Sequence, residues 1–187
     1  MEYRVISIGT LSHHRLWGEA APVRTAHATT TFVTEGRRRI LVDPSLPGPI
    51  LAARFHERTG RTLDEVTDVF CTTLRPVHRR GIEALDKATW WVSETELELY
   101  ARHLESLAGS AERLEAEDRE ALEADRRLLE RFQPAPEQFG EQVTVYPTAG
   151  PSPGAAGLLL TEPTCTLVVA GDAVATREHL ERGRVWQ

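Results

Sequence analysis

The chain begins with short runs in which apolar and polar positions alternate. Tyr3–Ile8 (YRVISI) alternates and is rich in β-formers, which predicts a strand. Thr29–Val33 and Arg39–Val42 flank Glu35-Gly36-Arg37, a turn-forming break, and so predict a hairpin. Asp43-Pro44 ends its second strand, because proline cannot donate to a ladder. Pro47-Gly48-Pro49 then leads into a helix through Leu51, Ala52, Phe55 and Arg58 that Gly60 closes. Thr62 and Glu65 have the spacing of a capping box and predict a short helical turn. Val69–Cys71 reads as a short buried strand, followed by the polar loop TTLRPVHRRG, and Thr89–Val92 as another strand.

From Ser93 the apolar period lengthens from two to 3.6. Ser93 and Glu96 have capping-box spacing, and no proline interrupts the run from there to Phe132. Leu97, Ala101, Leu104, Ala108 and Ala111, then Leu114, Ala121, Leu128 and Phe132, form a helical stripe that Gly109-Ser110 can break in two. The 12 acidic and 6 basic residues between Glu94 and Arg131 read as a solvated face. Pro134 and Pro136 stop the run. Gln142–Tyr146, Gly157–Leu160 and Thr166–Ala170 are again strand-like, and Thr176–Gly183 is helical. Strands, then helices, then strands and a helix predict an α/β sandwich with helices outside two sheets.

Composition narrows what such a domain does. The 187 residues, 41% hydrophobic and 27% charged, suit a single domain over 1–187 with one hydrophobic core. No apolar run approaches the roughly 20 residues of a membrane-spanning helix. The start MEYRVISIGTLSHHRLW lacks the basic opening and unbroken apolar core of a secretory signal, so a cytoplasmic protein off the membrane is expected. A net charge of −6 argues against general nucleic-acid binding, which needs a basic face. Cys71 and Cys165 match no metal or redox spacing, and each sits in a strand-like run that would bury a small thiol. His13 and His14 fall in a segment expected to be flexible, while His56 and His103 fall within helices, so all four read as structural or solvent-exposed.

Three segments bring reactive residue types to strand ends, where functional groups gather. They are ILVDPSLPG (40–48), FCTTLRPVHRRG (70–81) and YPTAGPSPGAAGLLL (146–160), the last followed by LVVAGDAV (167–174). In this order and at these separations, from about Thr25 to Arg182, the chain resembles the metallo-β-lactamase fold family. That family places an Asp after an early hairpin, then a T-H-x-H-x-D-H loop, a T-x-G-H-x-x-G loop and a strand ending in G-D. The resemblance implies a compact αββα sandwich of two mixed β-sheets flanked by helices, with a long helical insert at about 93–132. It also implies metal-dependent hydrolysis, in which clustered His and Asp hold zinc or iron and turn bound water into hydroxide.

Carried over position by position, the resemblance is incomplete. Thr73 stands at the first His of the loop, Arg75 at the second and Val77 at the Asp, so only His78 matches there. Pro151 takes the His position of the next loop. Asp172 matches the bridging Asp, and Asp43 matches the early Asp that supports the site. These replacements favour a non-catalytic binding, scaffolding or regulatory protein with a vestigial pocket and no cofactor. An ion pair between Arg75 and Asp172 would then neutralise a carboxylate left without metal. The alternative is a hydrolase of an ester, thioester or lactone that uses zinc or iron. Asp43, His78 and Asp172 would then be catalytic and His78 and Asp172 the metal ligands, with His27 and His179 as candidates to rebuild the site. A third reading is a metal-free module for a small anionic ligand, bound by Arg75, Arg79 and Thr73. Pairing into a homodimer through the 93–132 segment is implied by resemblance alone.

Overall fold

The computed structural model describes residues 1–109 and 115–185. Six strands form one sheet in sequence order: β1 (Glu2–Ser7), β2 (Thr30–Glu35), β3 (Arg38–Val42), β4 (Asp68–Phe70), β5 (Thr89–Val92) and β6 (Phe132–Pro134). The first three are antiparallel, and β3 to β6 run parallel. Parallel neighbours need crossovers. Helix α1 (Gly48–Thr59) supplies one between β3 and β4, and α2 (Glu94–Ala108) and α3 (Ala116–Leu129) supply another between β5 and β6. A second sheet holds β7 (Val143–Pro147), β8 (Ala156–Thr161) and β9 (Thr166–Val169), and the short α4 (Arg177–Glu181) follows it.

The period of two along the strands divides the interior. On one face of the large sheet Phe32, Leu41, Val69 and Trp90 pack with Leu51 and Phe55 of α1 and with Leu97 of α2 and Leu128 of α3. On the other face Val33, Ile40, Val42 and Phe70 meet Val143, Leu158 and Leu160 of the small sheet. Strands β3 and β4 are therefore apolar on both faces, as parallel strands covered on both sides require. Each fully buried Leu, Ile, Val or Phe contributes about 1.5–3 kcal/mol relative to exposure. The result is the αββα type of sandwich. Among the described residues no helix is long and apolar enough to cross a membrane.

Several expectations need correction. Phe132 opens β6 rather than ending a helix. Its ring sits 5.6 Å from that of Trp90, Ala135 N–H reaches Val92 O at 2.8 Å, and Pro134 is tolerated because β6 lies at the sheet edge. A three-residue strand with one core residue carries too little pattern to be read from sequence. The small sheet is wholly antiparallel instead of mixed, since short loops join its strands directly. Cys165 is exposed, because a turn closed by Glu162 N–H to Cys165 O precedes β9; Cys71 is buried as expected. The helical stripe continues through Leu104 into α3, while Ser110, Ala111 and Leu114 lie outside the described residues.

Candidate functional site

Three strand ends bring the site together. Asp43 follows β3 with a φ of 49°, a left-handed conformation that Asp tolerates better than most residues. Its carboxylate turns back onto the start of the next loop. Thr72 N–H donates to Oδ1 at 2.8 Å and Thr72 Oγ1–H to Oδ2 at 2.7 Å. Because the Thr72 hydroxyl spends its proton on Asp43, His78 Nδ1 must be the donor in the 3.3 Å contact with Thr72 Oγ1. His78 closes a 3-10 turn (Pro76–His78) and is fully buried. Nδ1 is 3.1 Å from Asp43 Oδ2, and Nε2 is 3.1 Å from Asp172 Oδ2, at an angle that falls short of a straight hydrogen bond. Asp172 arrives from the 3-10 turn after β9. Gly171 before it has φ 55°, and a Cβ there would lie 2.6 Å from Thr72 Oγ1, so the G-D pair is needed for close approach.

The charges support one another. Burial opposes a charged His78, but Asp43 and Asp172 outweigh it and push the imidazolium up to about 10. For Asp172 burial is again the largest influence and raises its carboxyl, yet His78 and Arg75 together hold it below the ordinary value. Arg75 Nη1 donates to Asp172 Oδ2 at 2.7 Å, which is the ion pair expected from the sequence. Asp43, His78, Asp172 and Arg75 thus form a line of alternating charge, and its first three members make the floor of the site.

The other arginine and the threonine serve different partners. Arg79 is buried and turns to the helices. Its Nε donates to Leu74 O at 2.7 Å and its Nη2 to Tyr100 and to both oxygens of Asp125 at 2.9 Å, while Tyr100 O–H donates to Asp125 at 2.6 Å. Burial and Asp125 push the Tyr100 hydroxyl up to about 12. Thr73 Oγ1 donates at 2.6 Å to Glu96, a buried carboxylate that also accepts from Leu74 N–H at 3.0 Å and from Ser152 Oγ. Glu96 therefore does not complete the capping box at α2; only Ser93 caps, accepting from Glu96 N–H at 3.1 Å. Gly154 makes room for it, since a Cβ there would lie 2.5 Å from Glu96 N. Thr73, Arg75 and Arg79 are not brought together as one anion-binding cluster.

Above the floor lies a cleft of about 510 Å³ that Asp43, His78 and Asp172 line. Thr73, Arg75 and Arg79 are not among its lining residues. One wall is the small sheet's β9 edge; the other is the segment between β1 and β2. That segment is clipped to α4 and is not free, contrary to expectation. His14, 2% exposed, stacks on Trp17 with ring centroids 4.1 Å apart. His14 Nε2 lies 3.1 Å from Thr176 Oγ1, which is also 2.8 Å from His179 Nδ1, and Trp17 Nε1–H donates to Glu178 at 3.1 Å. His27 lines the cleft, but its Nε2 is 3.0 Å from Ile8 O. His27 and His179 thus have their own partners. Among the described residues no three His, Cys, Asp or Glu side chains are grouped so as to hold a metal ion. Thr72, Glu96, Asp125 and Trp17 shape the site without having been singled out by sequence; spacing gives no signal for residues whose role is to hold a neighbour.

Comparison with known proteins agrees with this architecture. A Thermotoga maritima protein assigned to the metallo-beta-lactamases superposes with a TM-score of 0.65 at 19% identity, over 90% of this chain and 76% of that one. The dizinc quorum-quenching lactonase AidC gives 0.60 at 15% identity, over 76% of this chain and 55% of its own. B. thuringiensis AiiA, with N-decanoyl-L-homoserine at its active site, gives 0.58 at 17% identity, over 86% and 72%. At these identities the likeness establishes the fold alone. No curated protein matches the chain in sequence. Residues 24–185, however, match the metallo-beta-lactamase superfamily as a sequence family, and they include every strand end that builds the cleft floor. The chain belongs to the metallo-beta-lactamase superfamily.

Proposed function

We propose that this superfamily member is a metal-free binding or regulatory protein that keeps the family's cleft without its hydrolytic centre. The observation that carries the reading is the Arg75 guanidinium, 2.7 Å from the Asp172 carboxylate. A fixed cation already pairs with this carboxylate oxygen, and a zinc ion entering there would meet like charge. The remaining donors do not fit a zinc or iron centre either. Thr73 spends its hydroxyl on Glu96, and Val77 and Pro151 have no side-chain donor. His78 has Nδ1 committed to Thr72 and Asp43. Catalytic zinc needs three protein ligands plus water, and His78 with Asp172 supplies two.

The hydrolase reading has one observation on its side: Asp43, His78 and Asp172 line the same cleft. The discriminating experiment is the metal content of protein purified without chelator from cells supplied with zinc, iron and manganese. It is paired with turnover of aryl esters, thioesters and N-acyl homoserine lactones. Metal well below one equivalent and no turnover support the proposal. Near-stoichiometric metal, with turnover lost in His78→Ala and Asp172→Ala, overturns it in favour of the hydrolase.

A further inference from the structure

We infer that the cleft is a binding site for an uncharged, largely apolar small molecule. The inference deepens the binding reading above and rests on it for the absence of competing metal chemistry. Two observations carry it. The first is the rim. Among the described residues eleven large apolar side chains are exposed, and five of them, Tyr3, Ile8, Trp17, Val168 and Val174, line this one cleft. Isolated exposed apolar residues need no explanation, but a group gathered around one concavity does. At about 510 Å³ the cleft lies within the roughly 300–1,000 Å³ typical of small-molecule sites.

The second is charge. Arg24, Asp43, His78 and Asp172 are the ionisable side chains, besides His14, His27 and the Tyr3 phenol, that line the cleft. Each already has an opposite partner: Arg24 with Glu19, Asp172 with Arg75, and His78 between Asp43 and Asp172. An ionic ligand would have to displace one of these pairs, whereas a neutral one leaves them intact.

The test uses N-phenyl-1-naphthylamine, a neutral dye that fluoresces in apolar sites, with decanol and decanoate as competitors and metal content measured on the same samples. The expected result is saturable binding at one dye per chain, displaced by decanol at least tenfold more effectively than by decanoate. Ile8→Glu and Val174→Glu, on opposite walls and 78% and 37% exposed, weaken binding at least tenfold. Val23→Glu, equally surface-borne at 64% but outside the lining, leaves it unchanged. Absent or non-saturable binding, equal competition by decanoate, or equal loss in Val23→Glu overturns the inference. Metal-free protein that does not bind the dye sinks this inference alone. Metal-loaded protein that does bind it sinks only the metal-free reading.

Discussion

Removing the His78 ring would leave Asp43, 2% exposed, and the mostly buried Asp172 facing each other without the cation that separates them. Breaking a buried charge arrangement by deleting one partner costs about 3–5 kcal/mol, so His78→Ala is expected to lower urea-measured stability by that amount. The Arg75–Asp172 pair is a different case. Its side chains are 34% and 20% exposed, and water screens much of the interaction. Arg75→Gln should therefore cost about 1 kcal/mol or less. Equal losses in the two variants would mean that the charge line is not organised around His78. At this scale Asp43, His78 and Asp172 were picked out by matching the family's motif positions, and the structure makes them neighbours. Thr72 and Glu96 were not: a threonine after a strand is commonplace, and Glu96 sat three residues after Ser93, where a capping role accounts for a glutamate.

Secondary elements show the same division between local and tertiary causes. The β2–β3 hairpin, α1 with its closing Gly60, and the Thr62–Glu65 box follow from local chemistry and were readable. Strand β6 and the clip on α4 depend on partners far away in sequence. Five residues of helix are too few to persist alone, so α4 owes its place to His14, Trp17, Thr176 and Glu178. That dependence should make the clip acid-sensitive. Burial first, then neighbouring His14, lowers the His179 pKa below 6.5, against a smaller opposing pull from Glu178. The folded chain thus binds fewer protons there than the unfolded one. This contribution to stability is intact above pH 6.5 and declines as pH falls below it. Glu178, pushed down to about 2 by its own backbone amide, Thr176 and Trp17, stays anionic throughout, and the half-buried Glu19, lowered by its pairing with Arg24, does so too. Amide exchange, corrected for intrinsic rate, should show Trp17, Gly18, Val23 and Arg24 losing protection between pH 7 and 5 while Leu41 does not. His179→Gln, which keeps a partner for Thr176 but cannot charge, should flatten the response. An identical response in that variant would place the sensitivity elsewhere.

For the whole molecule, the two apolar layers that hold the sandwich together contain none of residues 73, 75, 77 and 151. The backbone therefore delivers residues 73, 75, 77 and 151 to the strand ends whatever side chains they carry, and fold and chemistry are separable. That is why the superfamily was legible in the spacing of motifs while function was not: the spacing belongs to the scaffold, and function is set by the side chains that the strand ends carry. Restoring them tests the separation directly. A variant with Thr73→His, Arg75→His, Val77→Asp and Pro151→His removes the guanidinium from Asp172 and gives His78 and Asp172 four donor neighbours. It should start less stable than the parent, because Glu96 loses the Thr73 hydroxyl and a buried position, 1% exposed, must take a larger ring. Zinc should then raise its Tm in proportion to the logarithm of its concentration above Kd, by the equivalent of about 2.7 kcal/mol at a hundredfold excess, and leave the parent unmoved. A folded variant that ignores zinc would show that more than these four side chains, Glu96 foremost, keeps metal out. An equal rise in the parent would mean that His78 and Asp172 already recruit zinc with help from donors outside the family's positions.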